Sequence, residues 1–260
     1  MADEAQSIDA EPAGIHILPL RGAPEAQPGD DIAAMALDAA AASGVRLRTG
    51  DILVITQKVV SKAEGLLVDL KAVEPSDIAL RYARQWGRDP RQVEVVLRES
   101  VRIVRMDRGL IIAQTRHGYV CANAGVDSSN VEPGFATVLP EDPDASAERL
   151  RKALSDGFGQ PVAVIVSDTF GRAWREGVVN VALGVAGLMP LLDYRGGSDS
   201  FDRPLTSTVI ALADELASAA EIVTRKSAGT PVAIVRGAAE WAGDGNGRML
   251  IRDPSRDLFR

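Results

Sequence analysis

One cysteine and two histidines are all the soft or borderline metal ligands that this chain of 260 residues offers. A structural zinc site needs at least four such side chains and is therefore excluded, so any metal must be held by oxygen. Cys121 has no second cysteine to pair with, a usage that fits a reducing, cytoplasmic setting. Aromatics are also scarce at 4% against 46% hydrophobic residues. The core must then be built from Ala, Val, Leu and Ile, in packed sheets and helices. No long apolar run is present: the longest uncharged stretch, Val178 to Leu192, contains Asn180, two glycines and Pro190, and falls short of the ~20 residues that span a bilayer. An acidic N-terminus stands where a signal peptide needs a basic start. The expectation is a soluble, unexported protein with no membrane partner. Positive charge is short as well, 29 Lys+Arg against 36 Asp+Glu for a net charge of −7, which argues against a general nucleic-acid binder.

Familiar catalytic signatures are missing too. There is no G-x-x-x-x-G-K-[ST], which excludes a P-loop. Gly243-Asp244-Gly245-Asn246-Gly247 has G-x-G-x-G spacing with no helix start after it, and reads as a flexible loop. No G-x-S-x-G accompanies His16 or His117, so a histidine triad has no nucleophile elbow.

What is there reads as an α+β fold: mixed, antiparallel-rich sheets with flanking helices, and neither a P-loop nor a Rossmann arrangement. Residues 1 to 12 are polar, acidic and aperiodic, and read as a flexible tail. A single domain is expected over 13–260, with two intertwined subdomains as the variant. Apolar runs at Ile52 to Ile55, Val162 to Val166 and Val232 to Val235 are core strands. Short β-branched segments between Val101 and Val120 are antiparallel strands. Helices are expected from a cap at Asp30 or Asp31 to about Ser43, Ile78 to about Trp86, Asp89 onward, Ala145 to Leu154 with Asp144 as cap, and about Thr208 to Val223.

Four segments place oxygen ligands and cations just after apolar runs. Ser167-Asp168-Thr169 through Arg172 and Arg175 supplies a carboxylate, a hydroxyl and two guanidinium groups, a set suited to Mg2+ or Mn2+ and to phosphate. A cap at Asp168 with surface arginines explains it equally well. Asp127-Ser128-Ser129-Asn130 offers a second carboxylate, and more simply an Asx-turn. Lys58 and Lys62 lie four apart, on one face if helical, either as an anion site or as solvated lysines. Asp193 to Asp199 is a substrate loop or a plain turn. His117 reads as a packing or turn residue, Cys121 as a small buried hydrophobe, Asp214-Glu215 as the solvated side of a helix, and Arg98, Arg102, Arg105 and Arg108 as a surface stripe.

Taken in order, seven blocks resemble the coenzyme F420-0:L-glutamate ligase (γ-glutamyl ligase) family: Gly50-Asp51 through Ser61-Lys62-Ala63-Glu64-Gly65, Leu97-Arg98-Glu99-Ser100, Thr115 through Asn130, Asp142-Pro143-Asp144-Ala145-Ser146-Ala147, Ser167 through Gly177, Asp193-Tyr194-Arg195-Gly196, and Pro231 through Gly237. The resemblance runs from about Ile15 to Gly237. It implies a GDP-forming ligase that attaches L-glutamate to the lactyl carboxylate of F420-0 using GTP, by way of an acyl phosphate, with further γ-linked glutamates as an extension. It further implies a homodimer, one or two Mg2+ or Mn2+ ions, and K+. By residue-wise matching, Asp127 and Asp168 hold one divalent ion and Thr169 a second. Ala23, Pro24, Glu25, Ala26, Gln57, Lys62, Asn130, Thr224, Arg225, Lys226 and Ser227 fall at nucleotide positions. Lys62, Arg172 and Arg175 are the expected catalytic cations. Two positions depart from the family pattern: Lys226 stands where relatives carry a metal-assisting glutamine, and Asn180, which receives no role, where they tend to carry Asp. A metal-dependent nucleotide hydrolase and a non-catalytic nucleotide-binding module are the alternatives.

Overall fold

The computed structural model describes residues 14–226 and 228–258; the expected tail lies outside them. From the N-terminal side, β1 (His16–Leu20) leads to α1 (Ile32–Ala42), and β2 (Ile52–Thr56) runs directly into α2 (Gln57–Ala63). A middle section follows with β3 (Leu67–Asp69), α3 (Asp77–Trp86), α4 (Pro90–Arg98), β4 (Ser100–Asp107), β5 (Leu110–Thr115), β6 (Val120–Ala122) and β7 (Phe135–Thr137). The chain returns through α5 (Pro143–Phe158), β8 (Ala163–Gly171), β9 (Val178–Ala186), β10 (Leu192–Asp193), β11 (Val209–Ile210), α6 (Leu212–Thr224) and β12 (Val232–Arg236).

The three apolar runs are neighbours in a five-stranded sheet of order β1-β12-β2-β8-β9. Only β2 and β8 are parallel; the other pairs are antiparallel. Successive residues of a strand point to opposite faces, and here both faces are dry. Leu53, Ile55, Val164, Val166, Val232 and Ile234 pack against Ala33, Ala36 and Ala40 of α1 and Leu154 of α5. Ile52, Val54, Ala163, Ile165, Ala233 and Val235 pack on the other side against Leu212, Ala213, Leu216 and Ala217 of α6. That is why these strands read as unbroken apolar runs. A smaller layer packs α3 and α4, through Ala79, Tyr82, Val93 and Val96, onto Ile111 and Ala113 of the antiparallel sheet β4-β5-β6. The architecture is the mixed, antiparallel-rich α+β arrangement the sequence predicts.

Several local expectations are corrected. Asp142, not Asp144, caps α5 by accepting from Ala145 N at 3.1 Å, with Pro143 in the first turn. Asp144 is left free to accept from Val185 N at 2.9 Å and Gly247 N at 2.6 Å. The 243–247 segment is accordingly a packed strap and not a loose loop: Gly243, Gly245 and Gly247 lie so close to Met189, Leu188 and Leu183 that a Cβ would collide. Helix α5 passes Gly157 and stops at Gly159, whose φ of 79° a side chain would resist. Helix α6 begins at Leu212 because β-branched Val209 and Ile210 pair with Asp193 and Leu192 first. Asp214 is not solvated: its Oδ1 accepts from Ala182 N at 2.8 Å, and burial raises its pKa above the ordinary carboxylate value. His117 is a packing residue as expected, stacked on Tyr119 with Nε2 against Pro140 O at 2.9 Å.

Candidate active site

Because β2 and β8 are parallel, both end at the same edge of the sheet, with Thr56 opposite Ser167 as the last pair. Ligands of open sheets gather at such carboxyl ends, and a cavity of about 390 Å³ opens there. Its wall takes residues 23–26 ahead of α1, the first turns of α2, the 127–130 turn, the start of the β8 extension and the end of α6 with the chain that follows.

Asp127 is held by its backbone. Its N–H donates to Thr137 O at 3.1 Å and its carbonyl accepts from Thr137 N at 2.8 Å, a bridge that fixes the turn against β7. The Asx-turn expected from sequence is present, Ser129 N donating to Asp127 Oδ1 at 2.7 Å. The remaining oxygen, Oδ2, accepts from Lys58 Nζ at 2.7 Å and Ser129 Oγ at 2.9 Å. Burial alone would raise the pKa of Asp127, but the bonds from Lys58 and Ser129 outweigh it and hold the group below the usual range. Asp168 enters from β8, and here burial wins, aided by the charge of Asp127; its pKa is pushed up to about 6 despite Lys226 and Lys58 nearby. Two carboxylates from segments 41 residues apart therefore face one space and sense each other.

On the far side of Asp168, Thr169 Oγ1 donates to Asn180 Oδ1 at 2.8 Å, and Asn180 Nδ2 donates to Glu221 Oε2 at 3.0 Å. Thr224 Oγ1 reaches the same Glu221 oxygen at 3.3 Å. This chain of bonds turns the lone pairs of the Thr169 hydroxyl away from its donated proton. Lys62, on α2, is buried and pairs with Glu25, while also donating to Asn130 O at 2.5 Å. Gln57 lines the cavity, yet its amide is spent on Ser61 Oγ at 2.5 Å and Val138 O at 3.3 Å, fastening α2 to the strap after β7. Ser167 completes the floor.

Of the sequence-derived site residues, Ala23, Pro24, Glu25, Ala26, Gln57, Lys62, Asp127, Asn130, Asp168, Thr169, Thr224, Arg225 and Lys226 all line this cavity. Ser227 lies outside the described residues. Arg172 and Arg175 do not line it; they occupy the exposed turn between β8 and β9, where Arg172 Nη2 donates to Glu176 O at 2.5 Å. Lys58, Ser167, Asn180 and Glu221 belong to the site and were not assigned to it from sequence. Lys58 had a signal in its spacing from Lys62. Glu221 had none, being one acidic residue within an amphipathic helix.

The donor set suits a hard divalent cation: two carboxylates and a hydroxyl, all oxygen, with the rest of the coordination sphere open to water or phosphate. The mutual repulsion registered at Asp168 is relieved by positive charge, and the Lys58 ammonium, bound to Asp127, already supplies part of it. Asp127 and Asp168 are the residues that would hold such an ion, and the Thr169 hydroxyl is the oxygen that would serve a second. Among the described residues no group of three or more His, Cys, Asp or Glu side chains converges, so external oxygens must complete any site.

A sequence model of the F420-0:Gamma-glutamyl ligase family matches residues 22–237. The chain belongs to this family. Among the relatives of the F420-0:γ-glutamyl ligase family is the coenzyme F420:L-glutamate ligase of Methanothermobacter thermautotrophicus, 46% identical over 251 residues, which cover 95% of this chain and 99% of that one. The protein of the same name from Methanopyrus kandleri is 49% identical over 239 residues, 90% and 93% of the two chains, and that from Methanocaldococcus jannaschii is 45% identical over 215 residues, 82% and 86%. The family match spans β2, β8, the 127–130 turn and the end of α6 together.

Proposed function

We propose that this chain joins L-glutamate to coenzyme F420-0 in a GTP-dependent, GDP-forming reaction. The observation that carries the reading is the convergence of Asp127 and Asp168 with Lys58, Lys62 and Lys226 on one cavity, in a chain whose relatives are named coenzyme F420:L-glutamate ligases. Paired carboxylates with flanking ammonium groups suit a metal-bound polyphosphate. A second cavity of about 400 Å³ shares Glu25, Ala26, Lys62 and Asn130 with the first and adds Leu67, Val131 and Phe135 beside Gln27 and Glu132, a mixed lining that offers a purine base both apolar contact and hydrogen-bond partners.

A carboxylate is a poor electrophile, so the lactyl carboxylate of the acceptor is first activated. Its oxygen attacks the γ-phosphorus, the bond to the β-phosphate oxygen breaks, and GDP leaves with an acyl phosphate behind. The glutamate amine then attacks the acyl carbon, phosphate departs, and the amine gives up its proton as the amide forms. A bound Mg2+ or Mn2+ supplies charge neutralisation on the phosphates. Lys62 and Lys226 offset the charge that develops during transfer. Thr169, whose hydroxyl proton is committed to Asn180, is the residue whose oxygen would help hold a second ion. Lys226 stands close enough to Asp168 for its charge to lower that carboxyl's pKa, which suits phosphate neutralisation and not ligation. Arg172 and Arg175, on their exposed turn, suit an anionic group of the acceptor. The reading includes a homodimer, K+ as an auxiliary ion and a cytoplasmic setting; Cys121 is buried, its thiol pushed up to about 12 by burial. No helix among the described residues is long and apolar enough to cross a membrane.

The test is incubation with GTP, Mg2+ or Mn2+, L-glutamate and F420-0, followed by mass spectrometry. Products heavier by one or more glutamyl units, with GDP and phosphate in step, are expected. GTP turnover indifferent to F420-0 would instead assign a hydrolase, and GTP binding without turnover a non-catalytic module.

A further inference from the structure

The one buried side-chain polar atom without a hydrogen-bond partner among the described residues is Ser167 Oγ, and Ser167 lines the cavity. The residue is 1% exposed. Buried hydroxyls are nearly always partnered, because an orphan forfeits its bond to water and gains nothing for it. A hydroxyl orphaned on the wall of a ligand cavity has its partner in the ligand. The backbone shows where it sits. The pairing of β8 with β9 slips between Val166 and Ser167, the partners moving from Gly184 to Ala182, so the unmatched residue is Leu183 of β9, while β8 keeps its register with β2 as far as the Thr56–Ser167 pair. Ser167 and its neighbour Asp168 both line the cavity beyond that pair.

Several of the surrounding polar groups are already engaged. Lys58 is bound to Asp127, Lys62 to Glu25 and Asn130 O, and Thr169 to Asn180. The buried Ser167 hydroxyl has no such partner. It lies at the parallel strand end, opposite Thr56 and more buried than Asp168. We propose that the Ser167 hydroxyl donates to an oxygen of the terminal phosphate of a bound nucleoside triphosphate, making it a phosphate-positioning residue. This rests on the reading of the cavity as a triphosphate site.

The experiment uses Ser167→Ala in the full chain, with calorimetric titration of guanosine 5′-(β,γ-imido)triphosphate plus Mg2+, of GDP plus Mg2+, and of Mn2+ alone. A hydrogen bond to a charged acceptor is worth roughly tenfold or more in affinity. The expected result is a Kd for the triphosphate analogue raised by that factor, GDP and Mn2+ affinities essentially unchanged, and a melting temperature of the ligand-free variant equal to or above wild type, since an unsatisfied group has been removed. Unchanged analogue binding in the variant, with wild type binding normally, overturns the proposal and leaves the site reading intact. Failure of wild type itself to bind overturns both. Equal weakening of GDP, or weakening of Mn2+ alone, moves the hydroxyl to another group and overturns it as well. Ser167→Cys, which keeps the volume and weakens the donor, repeats the test should the alanine variant fold poorly.

Discussion

Replacing Arg236 with methionine isolates the most deeply buried ion pair among the described residues. Arg236 ends β12 with Nε and Nη2 on the two carboxylate oxygens of Asp51, both at 2.9 Å, and Nη2 also on Arg46 O at 2.7 Å. Asp51 is 1% exposed and its other donor is Arg48 N at 2.8 Å. The pair fastens the start of β2 to the end of β12, at the edge of the sheet opposite the cavity. Removing the guanidinium strands a buried carboxylate, a loss of about 3–5 kcal/mol. At roughly 2–4 °C per kcal/mol for a chain of this size, Tm should drop by about 6–20 °C. Urea unfolding followed by circular dichroism gives the free energy, and turnover per folded molecule at low temperature should match wild type. Asp51→Asn/Arg236→Met should recover at least about 1 kcal/mol over the single variant, because a neutral amide accepts from Arg48 N without a buried charge. A loss under about 1 kcal/mol, or a double variant as weak as the summed singles, would show that the pair is not what holds these strands.

Three further outcomes follow from the same contacts. Gly184→Ala should cost about 3 kcal/mol or more by denaturant unfolding, since its Cβ would lie 2.0 Å from Pro143 O. Lys58→Met should tighten Mn2+ binding in the absence of nucleotide while slowing ligation, because the ammonium now on Asp127 competes with a cation there; weaker metal binding would contradict this. Asp168 holds its proton more tightly folded than unfolded, its pKa near 6 against 3.8. Its contribution to metal-free stability is thus fully present below about pH 4 and lost as pH rises through 6, whereas metal affinity falls as pH drops below 6. Asp168→Asn should remove both dependences in thermal melts and titrations.

The strand cores at 52–55, 163–166 and 232–235 were legible because both their faces are apolar, and that pattern survives in one dimension; the polar continuation of β8 to Gly171 was not. Their neighbours were not: nothing local says that β2 and β8 run parallel, and that pairing is what creates the cavity. Asp127 and Asp168 were visible as carboxylates after apolar runs. Asn180 and Glu221 were not, since their relevance comes from the register of β9 on β8 and from the angle at which α6 crosses. Asp142 and Asp144 are two residues apart and both plausible caps; only the distant Val185 and Gly247 amides separate their duties. Asp214 was misread for the same reason, its partner being an amide on another element.

The parallel pairing of β2 with β8 means that more than a hundred residues intervene between the two strand ends that meet at the cavity floor. Ligand capture is consequently a property of distant parts of the polypeptide: a ribosome must have released the residues through the end of α6 before any nucleotide finds a complete berth.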